Sequence, residues 1–68
     1  MTKDEAKQAL KDGKRVRHTG FTEEEWVEQH GSQYLFEDGC TGYMEEFWRY
    51  RTESWWDDGW SEATQEGV

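Results

Sequence analysis

Hydrophobic and polar positions change period several times along this chain, and each change marks an element. Thr2-Lys3-Asp4-Glu5 has the form of a capping box, with Thr2 as N-cap and Glu5 at the third helical position. Ala6, Ala9 and Leu10 recur at helical spacing and Gly13 follows, so the pattern predicts a short amphipathic helix over 3–12. Lys14-Arg15-Val16-Arg17-His18 alternates instead. As a strand it puts Val16 and His18 on one face and Arg15 and Arg17 on the other.

Thr19-Gly20 signals a turn or bulge, and the next segment carries two patterns. Thr22 and Glu25 fit a second capping box, with Phe21 and Trp26 as a hydrophobic staple, which favours a helical turn from Glu23. Trp26, Glu28 and His30 also alternate as one face of a strand over 25–30, and both patterns stand. Gly31 ends either element. Gln33 to Glu37 is the clearest strand, and Asp38-Gly39 is a hairpin signal leading to a return strand over 40–43, weakened by Gly42. Over 43–51, Tyr43, Phe47 and Tyr50 recur at helical spacing, as do Met44, Trp48 and Arg51. A short helix fits that spacing, while the aromatic content suits a strand. Asp58-Gly59 predicts a tight turn before a last strand near 60–64, with 65–68 frayed. The expected fold is α+β: one domain over 1–68, with a small antiparallel sheet of three to five short strands packed with the N-terminal helix.

Composition narrows this picture. The chain has 68 residues, 32% hydrophobic, with five Trp, three Tyr and three Phe but no Ile. A chain this short buries only about 60% of its unfolded surface, so the expected core is thin, aromatic and completed by self-association into a homo-oligomer. Length excludes a barrel enzyme or a two-domain dehydrogenase, and no apolar run is long enough for a membrane helix. Cys40 is the single cysteine and no secretory leader opens the sequence, so a reducing cytoplasm is expected. The net charge of -8 is uneven. Residues 1–20 hold six basic and three acidic groups, a net +3, whereas residues 21–68 hold two arginines against 13 acids, a net -11. General nucleic-acid binding is not expected of such a field.

The chemistry-bearing residues favour binding over catalysis. His18, His30 and Cys40 form no close pair of the kind that zinc sites use, so no metal or other cofactor is expected. With 16 acids, a carboxylate pair carries no information, and no nucleophile elbow, phosphate loop or Cys-x-x-Cys motif is present. The expected protein is therefore not an enzyme. Trp55 and Trp56 are adjacent, so in extended backbone one of them faces outward. An exposed aromatic can stack a base, at about 1–3 kcal/mol per base, while arginines such as Arg15, Arg17, Arg49 and Arg51 hold phosphate.

Three blocks carry a resemblance: Glu5-Ala6-x-x-Ala9-Leu10-x-x-Gly13-Lys14-Arg15-Val16-Arg17, then Thr19-Gly20-Phe21 with Trp26-Val27, then Ser54-Trp55-Trp56-Asp57-Asp58-Gly59-Trp60. Together they resemble small phage proteins of the Thoeris anti-defence type two family. Phe21 stands where that family usually has Trp, residues 28–45 are shorter, and Glu23-Glu24-Glu25 replaces a Gly-rich stretch. The resemblance implies an oligomeric α+β protein that traps cyclic nucleotide immune signals without cleaving them, in the host cytoplasm. The ligand-binding residues expected are Arg15, Arg17, His18, Phe21, Trp26, Arg49, Arg51, Trp55 and Trp56. The acidity of residues 21–68 supports an alternative, an acidic, DNA-mimic-like inhibitor that binds a basic host protein. A third expectation is an interaction module whose self-assembly is its main property.

Overall fold

The structure is a computed structural model and describes residues 1–63; residue 64 of the expected last strand and the frayed end at 65–68 lie outside the described residues. Helix α1 (Lys3–Lys11) begins where the capping box puts it. The Thr2 backbone N–H donates to Glu5 Oε1 at 2.8 Å, and the Glu5 N–H donates to Thr2 Oγ1 at 3.2 Å. The Thr2 backbone N–H, and after it the Thr2 side chain, hold the Glu5 carboxyl below its ordinary pKa by hydrogen bonding to it. Gly13, at φ +86°, turns the chain out of the helix in a conformation costly for any side chain.

Five strands follow: β1 (Val16–His18), β2 (Val27–His30), β3 (Gln33–Phe36), β4 (Thr41–Tyr43) and β5 (Trp60–Glu62). They form one antiparallel sheet in the order β4-β3-β2-β1-β5, so the last strand returns beside the first. Between β4 and β5 lie α2 (Met44–Arg49) and a 3₁₀ turn over Ser54–Trp56.

Two ambiguous segments resolve by tertiary packing. Thr22 and Glu25 make a single turn, with the Thr22 N–H donating to Glu25 Oε1 at 3.0 Å, and the chain then extends into β2. Val27 is fully buried opposite Val16, and burying that pair in a sheet outweighs the local preference for a helix. Residues 44–49 are helical, and Phe47 is the residue that α2 buries. Met44 and Trp48 pack partly against the core, whereas Tyr43 and Tyr50 stay outside it. The Asp38-Gly39 signal marks its hairpin but sits late in it. Glu37 and Asp38 occupy the centre, the Gly39 N–H donates to Phe36 O at 2.9 Å, and Gly39 takes φ +86°.

Both helices pack on one face of the sheet. Ala6, Ala9 and Leu10 of α1 and Phe47 of α2 join Val16, Val27, Tyr34 and Trp60 in one core. Tyr34 meets Phe47 edge-on at 5.2 Å between centroids and accepts the Trp48 Nε1–H at 2.8 Å. Burial raises the Tyr34 pKa, the Trp48 bond opposing. Aromatic rings therefore supply the volume that Ile and Leu usually supply. Of the five tryptophans, Trp60 is buried, Trp26, Trp48 and Trp56 are half-buried, and Trp55 is exposed. The opposite face of the sheet, which holds Arg15, Arg17, Glu28 and Leu35, is covered by neither helix.

Candidate functional site

The alternation of β1 sends Val16 and His18 into the core and leaves the two flanking arginines on the open face. The Val16–Val27 register sets Arg15 opposite Glu28 and Arg17 opposite Trp26. Arg15 Nε donates to Glu28 Oε1 at 3.2 Å, and its guanidinium carbon lies 3.8 Å from the centroid of the Trp26 ring. Neither charge is freely hydrated, because the two side chains are only 23% and 16% exposed. Arg17 Nη2 donates to the Thr22 carbonyl at 3.1 Å. Its Nε is buried without a hydrogen-bond partner among the described residues.

These side chains line a cleft of about 610 Å³. Arg15, Arg17 and Trp26 form one part, Glu23, Glu24 and Glu25 project from the β1–β2 connection, and Ser61, Glu62 and Ala63 complete the β5 side. The lining thus carries four carboxylates to two guanidiniums. A wall of this kind can stack a planar group, hold one anionic group on an arginine, and accept hydrogen bonds from hydroxyls on its glutamates.

The other expected site residues go elsewhere. His18 is 2% exposed, and both of its ring nitrogens are engaged. Nδ1 accepts the Gly20 N–H at 2.9 Å, which leaves Nε2–H to donate to the carbonyls of Asp58 at 2.7 Å and Trp55 at 3.0 Å. The ring offers a ligand no free nitrogen and instead ties β1 to the turn before β5. Trp56 packs on it at 4.4 Å between centroids and Phe21 at 6.2 Å. Arg51 lies over Phe47 at 3.9 Å and over Trp56 at 5.1 Å. Phe21, Trp56 and Arg51 therefore form one internal cluster with His18, behind the sheet from the cleft. Trp55 is 62% exposed on the 3₁₀ turn. Arg49 is exposed and lines a separate hollow of about 460 Å³ with Tyr43, Met44, Glu45 and Glu46. Of the nine residues, Arg15, Arg17 and Trp26 converge on the cleft, His18, Phe21, Arg51 and Trp56 gather behind the sheet, and Arg49 and Trp55 stand apart.

Sequence reasoning did not single out Glu28, which neutralises Arg15, or Glu62 on the rim. Strand alternation through Trp26, Glu28 and His30 was the signal that reaches Glu28. Among the described residues, no group of three or more His, Cys, Asp or Glu side chains is placed to hold a metal ion. Nor is any helix there long and apolar enough to cross a membrane. Hydrogen bonding to Asp38, and that residue's charge, raise the pKa of the exposed Cys40 thiol, so it has little thiolate character. No protein-family model, curated protein or solved structure matches the chain.

Proposed function

We propose that this chain is a non-enzymatic binding protein that sequesters a small cyclic nucleotide-type signal in the cleft on the open sheet face. One observation carries the reading: Arg15, Arg17 and Trp26 converge there, each next in the chain to the paired Val16 or Val27 that sets its position. A base stacked on Trp26 takes the place of the Arg15 guanidinium and releases it toward phosphate. Arg17 brings a buried Nε–H that no described residue accepts. Glu23, Glu24, Glu25 and Glu62 suit ribose hydroxyls, which are donors that carboxylates accept.

In this reading the protein is a phage anti-defence factor that works in the host cytoplasm, assembled as a homo-oligomer. Calorimetric titration of cyclic dinucleotides and cyclic ADP-ribose isomers tests it. Saturable binding is expected, with the ligand recovered at unchanged mass. A flat trace across the panel refutes sequestration, and an altered mass refutes the absence of catalysis.

The acidic rim favours a second reading, in which the same face binds a basic host protein. Replacing Glu23, Glu24 and Glu25 together by Gln separates the two. Nucleotide affinity should rise as repulsion is removed, because the Gln carbonyls still accept from ribose hydroxyls, whereas affinity for a basic partner should fall and lose its salt dependence.

A further inference from the structure

Arg51 belongs neither to the sheet-face cleft nor to its rim. Its Nη1 donates to the Phe47 carbonyl at 3.0 Å, and its guanidinium rests on the Phe47 ring. Its Nε is buried without a hydrogen-bond partner among the described residues. No ion pair involves it there either. Burial lowers its pKa, with the charge of Glu25 opposing, so the cation has lost water without gaining a contacting anion.

The same side chain lines a small hollow of about 180 Å³ beside β4 and α2. Phe36, Phe47, Tyr43 and Tyr50 supply aromatic walls, and Glu46 stands among them. Tyr43 and Tyr50 are 63% and 73% exposed, so two rings face solvent in a chain whose core otherwise depends on its rings. Gly42 keeps the wall open. A Cβ at that position would sit 3.2 Å from Phe36 Cε2 and press the ring aside.

We propose that this hollow is a second binding site, specific for a small planar aromatic monocarboxylate: Arg51 holds the carboxylate, and Tyr43, Tyr50 and Phe36 flank the ring. Three features select this class. The unpaired guanidinium calls for a planar anion that it can grip with two N–H groups. The hollow lies below the range of about 300–1,000 Å³ usual for larger ligands, so it admits a single ring and excludes a nucleotide. Glu46 repels a second negative charge, which disfavours phosphate monoesters against a carboxylate. The site is separate from the sheet-face cleft, and its ligand is of a different class.

The test is a titration of the ¹⁵N-labelled protein with benzoate, using benzamide as the neutral control and benzylamine as the cationic one, at constant ionic strength. Saturable shifts are expected in the amides of residues 42–51, with a Kd of about 1 mM for a ligand of this size. Benzamide and benzylamine should bind at least about fivefold more weakly. Arg51→Lys keeps the charge, loses the planar fork and should weaken benzoate by a similar factor. Because Arg51 also packs on Phe47, Tyr50→Ser at the exposed wall is the second variant. It should weaken benzoate while leaving the melting temperature unchanged. The proposal is overturned if benzamide matches benzoate, if Tyr50→Ser binds like the parent, or if no saturation is reached. Shifts centred on Arg15, Arg17 and Trp26 also overturn it, since they assign the anion to the other cleft.

Discussion

Replacing His18 by Leu removes three hydrogen bonds from a site that is 2% exposed. The substitution nearly preserves volume, so no large cavity adds to the loss of the polar groups. The Gly20 N–H loses its acceptor, and the carbonyls of Asp58 and Trp55 lose the Nε2–H that they share. An unsatisfied buried group costs about 1–3 kcal/mol. The two carbonyls belong to exposed residues that water can reach, so the total comes to about 3 kcal/mol rather than the sum of three full penalties. At about 0.05–0.15 kcal/mol per residue, a chain of this length holds roughly 3–10 kcal/mol in all. The loss is thus a third or more of the whole, or a drop of about 12–24 °C in melting temperature. Thermal unfolding followed by tryptophan fluorescence measures it directly, because Trp56 and Trp60 pack against the ring, Trp56 tilted and Trp60 edge-on. His18→Asn is the control: its side-chain oxygen can still accept from Gly20, and about half of the loss should be recovered. A His18→Leu protein that melts within about 4 °C of the parent refutes the reasoning, because it means the three bonds add nothing net.

Other outcomes follow from the same geometry. Gly59→Ala should cost about 1–3 kcal/mol by denaturant titration, since the residue sits at φ +90° and its new Cβ would lie 3.0 Å from Thr19 Oγ1 and 3.1 Å from His18 Nε2. Thr2→Ala should return the Glu5 carboxyl only part of the way toward its ordinary pKa, as read by NMR titration, because the residue-2 backbone N–H that contributes most is kept and only the hydroxyl is lost. Because folding lowers that pKa, the capping contribution is present above the unfolded carboxylate value and fades as pH falls through the folded one. An unchanged Glu5 titration in Thr2→Ala contradicts the hydroxyl's part in this shift. Glu28→Gln should release Arg15 and raise affinity for an anionic ligand about threefold to fivefold in calorimetry, the equivalent of an ion pair of somewhat under 1 kcal/mol. Unchanged or weakened binding means that Glu28 positions Arg15 rather than competing for it.

The elements legible in the sequence were those specified locally. Thr2 and Glu5 satisfy each other's backbone within one turn, and Arg15-Val16-Arg17 alternates whatever lies around it, so α1 and the faces of β1 could be read directly. The segment from Thr22 to His30 could not, because its local bonds favour a helical turn while Val27 is claimed by Val16 across the sheet. Both are real: the turn forms, and the strand begins one residue beyond Trp26. Site residues divided on the same principle. Convergence of Arg15, Arg17 and Trp26 depends on the register of two neighbouring strands, which short-range pattern approaches. The fates of His18, Phe21, Arg51 and Trp56 depend on β5 returning beside β1 across about 40 residues, which no local signal encodes. Trp55 and Trp56 do separate into an exposed and a half-buried ring, but through a 3₁₀ turn rather than an extended strand.

That long-range closure also limits what the cleft can do. Arg15 is already held by Glu28 and Trp26, and the stacking is worth roughly 0.5–2 kcal/mol at a partly desolvated site. A ligand that recruits Arg15 therefore exchanges partners instead of adding one, and the gain is the difference between two similar contacts. Long-range attraction does not supply the remainder, because four rim carboxylates outnumber two guanidiniums. Affinity for an anion must then rest on the unsatisfied Arg17 Nε–H, on a base that replaces Arg15 over Trp26 and so frees its guanidinium, and on hydroxyls placed against the glutamates. A compact polyanion meets only the first of these. A ligand with a base, hydroxyls and a single accessible phosphate meets all three, so the proposed sequestration should show tighter binding of a nucleoside-like molecule than of inorganic phosphate or a nucleic-acid strand.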